Sequence, residues 1–254
     1  TGYPNLEAAR YWRFYYAQLL EDAEDYSGAA AEFARVDRDH EHYLESCFRR
    51  VRALARAAAR TSARNPFLTP EAFTNIDAVS TAYRDFVTRA AAEMPVKDED
   101  RTRRIQELLG ESRLMLAETY LLAGVNRPEQ ALESLVDFEG TFGRQSPLLG
   151  RLWRARLRAL ESLGRLDEAT RAVPEYVTAD PRNAGPTLQM LYTSMLTERQ
   201  RQPREETSVP SEPRAQVVDP PWRASGPANS DIMLLLAEQI VKWTQREDVQ
   251  ATTA

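Results

Sequence analysis

The chain has 254 residues, 33 of them Lys or Arg and 38 Asp or Glu, for a net charge of −5. A chain of this length buries roughly 70–75% of its unfolded surface and needs no disulfide or metal to hold a core. The charge balance excludes a general field for nucleic acid or anionic lipid, and the lone Cys47 excludes an internal disulfide.

One large domain or two small ones is expected from the length. Ten glycines, with abundant Ala, Leu, Glu and Arg, favour helix. Lys97 and Lys242 are the only lysines, a bias that GC-rich codons would also produce. No apolar run reaches the ~18 residues of a membrane span. The chain opens TGYPNLEAAR, without methionine or leader, and reads as a trimmed segment of a longer protein.

Helical periodicity runs nearly throughout, and no segment alternates with period two. The first expected helix, 5–23, carries RYWRFYYAQLL. On a helical wheel Trp12 and Tyr16 fall with Leu19 and Leu20, the side expected to pack on Ala29 and Phe33 of the next helix. Tyr11, Phe14 and Tyr15 fall with Gln18 on a separate side. The second helix is expected over 27–37 and the third over 41–62. Between them, VDRDHEHYLESC offers Asp37, Asp39, His40, His42 and Cys47 as a metal set. Residues two apart on a helix point to different faces and no second ligand pair exists, so no metal or cofactor is expected.

Within CFRRVRALARAAAR, Arg49, Arg52, Arg56 and Arg60 span about 80° of the wheel, opposite Cys47, Val51, Leu54 and Ala58. Either this is a solvated face or it is an anion-binding stripe.

Further helices are expected over 70–93, 99–123, 128–142, 147–163, 166–178 and 186–201. Thr69-Pro70 and Ser146-Pro147 supply a capping hydroxyl followed by proline at the first helical position. Gly124 and Gly164 stand where helices should end, and Pro181 closes another. Pro174, inside the 166–178 segment, predicts a kink or restart. Residues 1–201 thus form a helical domain. Residues 202–229, with six prolines, read as a linker or surface loop, 230–247 as a docking or capping helix, and 248–254 as a tail.

Three helix pairs share one spacing: Leu20, Ala29, Phe33; Leu122, Ala131, Leu135; Leu160, Ala169, Val173. A small alanine early in the second helix lets it approach the first. The third copy, LWRARLRALESLGRLDEATRAVPEYVTADPRNA, resembles the tetratricopeptide repeat through Trp153, Leu160, Gly164, Ala169, Asp180 and Pro181. The segments 10–36 and 112–145 resemble it more loosely. Arg156 and Glu118 stand where the family has a large apolar residue, and Tyr176 where it has a small one.

The resemblance implies an all-α fold, a solenoid of antiparallel helix pairs wound as a right-handed superhelix. It also implies that first-helix positions two, five and nine line a concave groove. In this chain they are Tyr11, Phe14 and Gln18, then Arg113, Leu116 and Tyr120, then Arg151, Arg154 and Arg158. Some family members clamp a partner's C-terminal carboxylate at groove positions that correspond to Arg154 and Arg158. Solubility alone would also account for those arginines.

No phosphate loop, dinucleotide fingerprint, nucleophile elbow or zincin motif occurs, so an enzyme is not expected. The expected function is a noncatalytic scaffold or adaptor holding a partner protein's segment, acidic if the arginines are used. The candidate peptide-binding residues are Arg151, Arg154, Arg158, Arg113, Tyr120, Tyr11, Phe14 and Gln18. Alternatives are a self-assembling module of a longer repeat protein, and a regulatory or recruiting domain of an enzyme. Nucleic acid is not an expected partner, and the compartment stays open.

Overall fold

A computed structural model describes residues 7–67, 70–94, 98–143, 146–201, 236–238 and 241. Among these there are helices, turns and bends and no strand, the all-α class. The helices are α1 (Glu7–Asp22), α2 (Tyr26–Phe33), α3 (Tyr43–Arg64), α4 (Pro70–Glu93) and α5 (Glu99–Tyr120). They continue with α6 (Pro128–Ser134), α7 (Phe138–Phe142), α8 (Leu149–Ser162), α9 (Leu166–Ala179) and α10 (Ala184–Arg201). The expected linker 202–229, the tail 248–254 and most of the helix 230–247 lie outside the described residues. Residues 236–238 and 241 are helical, with Leu236 buried.

The chain divides into two compact units, residues 1–159 and 160–254. In the first, Phe14 and Ala17 of α1, Ala29, Ala30 and Phe33 of α2 and Ala53 of α3 form one apolar cluster. Phe48, Val51, Ile76, Phe86, Ile105 and Leu116 form the next, across α3, α4 and α5. Leu114, Ala117, Ala131, Leu135, Phe138 and Leu152 form a third. In the second unit α9 packs on α10. Tyr176 is fully buried there, its hydroxyl bonded to Asn183 O at 3.0 Å and Thr187 Oγ1 at 3.1 Å. With its hydroxyl satisfied, the tyrosine is buried without an unpaired polar atom.

The shared spacing has a structural counterpart. Ala29, Ala131 and Ala169 are all 0% exposed. Five residues before each, the backbone is left-handed: Glu24 at φ 60°, Asn126 at φ 46°, Gly164 at φ 68°. In the first and third copies the turn closes identically, Asp25 N–H to Leu20 O and Arg165 N–H to Leu160 O, both at 2.9 Å. This six-to-one bond takes up a helix-end carbonyl that would otherwise be unpaired. The second turn is longer, and Arg127 N–H reaches back to Tyr120 O at 2.8 Å.

Gly124 is therefore not the expected helix end, since α5 stops at Tyr120 and Asn126 takes the left-handed position. Its smallness has another cause. The Gly124 N–H donates to Ser62 Oγ at 3.2 Å, and a Cβ would meet Phe67 O at 3.3 Å.

Two further expectations are corrected. The helix expected over 128–142 is two, α6 and α7, because Asp137 is left-handed at φ 53° and redirects the chain so that Phe138 is fully buried. Two arginines occupy the freed carbonyls: Arg113 donates to Ser134 O and Val136 O, and Arg156 to Leu135 O at 2.9 Å. Of the kink or restart expected at Pro174, the restart is absent, and α9 runs without interruption from Leu166 to Ala179. Pro174 faces solvent while Val173, Tyr176 and Val177 beside it are buried, so packing offsets the lost hydrogen bond.

The three left-handed positions predict opposite responses. Gly164→Ala should destabilise by about 1 kcal/mol, because only the backbone angle opposes it. Glu24→Gly should be neutral to stabilising within about 1 kcal/mol, since relief of strain competes with unfolded-chain entropy. Thermal midpoints of the two variants check this; a loss at Glu24→Gly equal to that at Gly164→Ala would contradict it.

Candidate functional site

Glu21 follows Phe14 and Ala17 by seven and four residues on α1, so it shares their buried face and is 4% exposed. A carboxylate there must be paired. Its partners come from the arginine stripe of α3. Arg52 binds it bidentately, Nε to Oε1 and Nη2 to Oε2, both at 2.7 Å. Arg56 Nη1 donates at 3.2 Å and Arg49 Nη1 at 3.4 Å. Arg60 instead meets Glu24, at 3.0 Å from its carbonyl oxygen. The stripe's first anion is thus internal to the protein. The guanidiniums of Arg49, Arg52 and Arg56 also lie over the rings of Phe14, Phe48 and Tyr26, at 5.7, 5.8 and 5.7 Å.

Beside this cluster is a cavity of about 300 Å³, lined by Arg52 and Arg56 of α3, Glu111, Met115 and Glu118 of α5, and Arg151 of α8. Arg151 binds Glu118 bidentately, Nε to Oε1 at 3.1 Å and Nη2 to Oε2 at 2.7 Å. Hydrogen bonding to Glu118 pushes the Arg151 pKa up despite burial. At Arg52 burial pulls the pKa down, but the Glu21 hydrogen bonds and charge outweigh it and the net shift is upward. Both side chains are permanently cationic. Nη1 of Arg52 and Nη1 of Arg151 take no part in these bidentate pairs.

The candidate peptide-binding residues separate. Arg151 lines the cavity. Arg154 is half-buried and engaged, and Arg158 is exposed. Arg113 is occupied by the carbonyls after α6. Tyr120 is half-buried between two of the apolar clusters. Tyr11 is exposed, its ring 5.3 Å from His40, and Gln18 is half-buried.

Phe14 is 2% exposed and belongs to the core rather than to an open groove. Conversely Trp12 and Tyr16, expected to pack inward, are 69% and 53% exposed, with Leu19 at 66%. The buried face of α1 is set by Phe14, Ala17 and Glu21, so of the five aromatic rings only Phe14 enters the core, and Tyr11 and Tyr15 stay exposed with Trp12 and Tyr16.

The metal set also has different surroundings. His42 stacks on Phe14 at 4.7 Å between ring centroids, and His40 Nδ1 accepts the His42 N–H at 3.0 Å. Among the described residues no group of three or more His, Cys, Asp and Glu side chains is placed to hold a metal ion. No helix among them is long and apolar enough to cross a membrane.

Glu21, Glu111 and Glu118 were not among the candidate site residues, and Arg52 and Arg56 entered only as part of the α3 arginine stripe. The one sequence signal was an acid spaced in step with Phe14 and Ala17 on α1, opposite an arginine stripe. Compared with protein-family models, curated proteins and solved structures, the chain finds no match.

The geometry ranks the cluster's members. Glu21→Gln should lower unfolding free energy by about 3 kcal/mol, because it leaves Arg52 partly buried without its counter-charge. Arg56→Gln, at the exposed end, should cost under about 1 kcal/mol. Denaturant midpoints of the two variants test this ordering; equal losses would contradict it.

Proposed function

We propose that the chain is a noncatalytic scaffold of tetratricopeptide type that holds an acidic segment of a partner protein against α3, α5 and α8 of the first unit. The cavity with Arg52, Arg56 and Arg151 on its wall carries this reading. Two of the three guanidiniums are held in place by Glu21 and Glu118, leaving Nη1 of each to meet a carboxylate with little further ordering. Met115 and Leu122 on the same wall offer apolar contact, and Glu111 disfavours a densely acidic ligand. A segment with isolated Asp or Glu beside apolar residues fits best. The repeated buried alanine and the left-handed turn before it support the repeat assignment.

The test uses fluorescently labelled peptides carrying one Glu among Leu, Tyr and Ser, with the Gln peptide as comparison. Affinity should favour Glu, fall at least fivefold between 50 and 500 mM salt, and fall similarly in Arg56→Gln at unchanged helicity. Equal binding of the Glu and Gln peptides would defeat the reading.

The exposed Trp12, Tyr15, Tyr16 and Leu19 on α1 favour a second reading, a module that assembles with its own copies. Sedimentation should then show oligomers that Trp12→Glu or Leu19→Glu dissolves. A monomer at all concentrations would exclude it.

A further inference from the structure

A second cavity of the first unit, of about 440 Å³, lies where the 34–43 connection meets α3 and α4. Four arginines and two aspartates line it, a cationic excess in a chain whose net charge is −5. Arg35 is taken up by Glu32 at 2.6 Å, and Arg50 meets Asp85, which also lines the cavity, at 3.2 Å. Arg38 and Arg89 have no carboxylate partner among the described residues. Arg89 lies over the ring of Tyr43, 5.6 Å from its centroid, and that contact holds the guanidinium at the cavity.

Tyr43 and Cys47, one turn apart on α3, complete the wall. From the geometry we infer that this cavity binds a phosphoryl group, held by Arg38, Arg50 and Arg89 with the Tyr43 hydroxyl as a further donor. Guanidinium forks match the oxygens of a phosphoryl dianion, and several cations around one cavity favour it over a singly charged carboxylate. The cavity is much larger than one oxyanion, which leaves room for the group the phosphoryl is attached to.

The electrostatics agree. Burial pushes the Tyr43 hydroxyl up, with the neighbouring Cys47 thiol adding to the rise, while Arg89 and Arg38 pull it down. Burial likewise pushes Cys47 up, against the pull of the neighbouring Tyr43 and Ser46 hydroxyls and the charges of Arg89 and Arg50. All three guanidiniums are thus felt at this pair of groups. Cys47 is also the only cysteine in the chain, so its chemistry reports on the cavity alone. A bound phosphoryl group would cancel the arginine field, raise the thiol pKa further and obstruct access, so alkylation would slow.

The experiment measures the rate of Cys47 alkylation by iodoacetamide, a neutral reagent, on the full chain. Inorganic phosphate at 10 mM should slow the reaction at least threefold relative to chloride at matched ionic strength. Arg38→Gln, on an exposed loop residue, and Arg89→Gln should each abolish the protection at unchanged helicity. Arg84→Gln, on the same helix but bonded to Ser80 and Thr81, should keep it. A phosphoserine tetrapeptide then separates the sources. Protection at tenfold lower concentration than inorganic phosphate identifies a phosphorylated protein segment; protection by inorganic phosphate alone identifies the free ion. Equal rates in phosphate and chloride, or full protection retained in Arg38→Gln, would overturn the assignment.

Discussion

The burial of Glu21 is the constraint around which the first unit is organised. A carboxylate 4% exposed on the core face of α1 cannot remain without cations, and α3 supplies them from three successive turns. This fixes the rotation of α3 as well as its distance. With Arg49, Arg52 and Arg56 turned towards α1, Phe48 and Val51 must face α4 and α5, where they enter the second apolar cluster. The same rotation places Arg52 and Arg56 on the cavity shared with α5 and α8. One buried charge therefore links the packing of α1, the orientation of α3 and the wall of the proposed binding surface.

Arginine serves as a connector elsewhere too. Arg113 and Arg156 come from different helices and cap the carbonyls freed where α6 ends. Arg156 also forks onto Glu139 at 2.7 and 2.9 Å and lies over Trp153 at 4.8 Å. Arg13 crosses from α1 to the carbonyl of Arg35 at 2.9 Å. Lysine could not make these planar, multi-acceptor contacts. The near absence of lysine has a structural use here, whatever its codon origin.

Much of the helical framework was legible in the sequence, and α4 begins and ends where Pro70 and the periodicity place it, the expected Thr69 cap lying outside the described residues. Ala29, Ala131 and Ala169 were identifiable because close helix approach demands a small side chain at one spacing. The aromatic run was misread for a definable reason. Both sides of α1 carry aromatic rings, so hydrophobicity cannot choose between them; Ala17 and Glu21 do, and an acid is normally counted as outward-facing. The α6–α7 break escaped because Val136 and Asp137 look helical in isolation, while the arginines that stabilise the break come from α5 and α8. Pro174 shows the converse, a local breaker overridden by the buried residues beside it. The site was least legible, since its charges pair across 28 to 35 residues of sequence.

The amide of Gly124 and the hydroxyl of Ser62, 3.2 Å apart, are separated by 62 residues. This contact fastens the turn of the second helix pair to the last turn of α3. Closing so long a segment has an entropic cost that local helix formation does not offset. The native turn of the second pair therefore includes a contact that only the end of α3 supplies. A chain of paired helices is in this respect tied from α3 to the turn before α6 by a contact of long sequence separation, which raises its contact order.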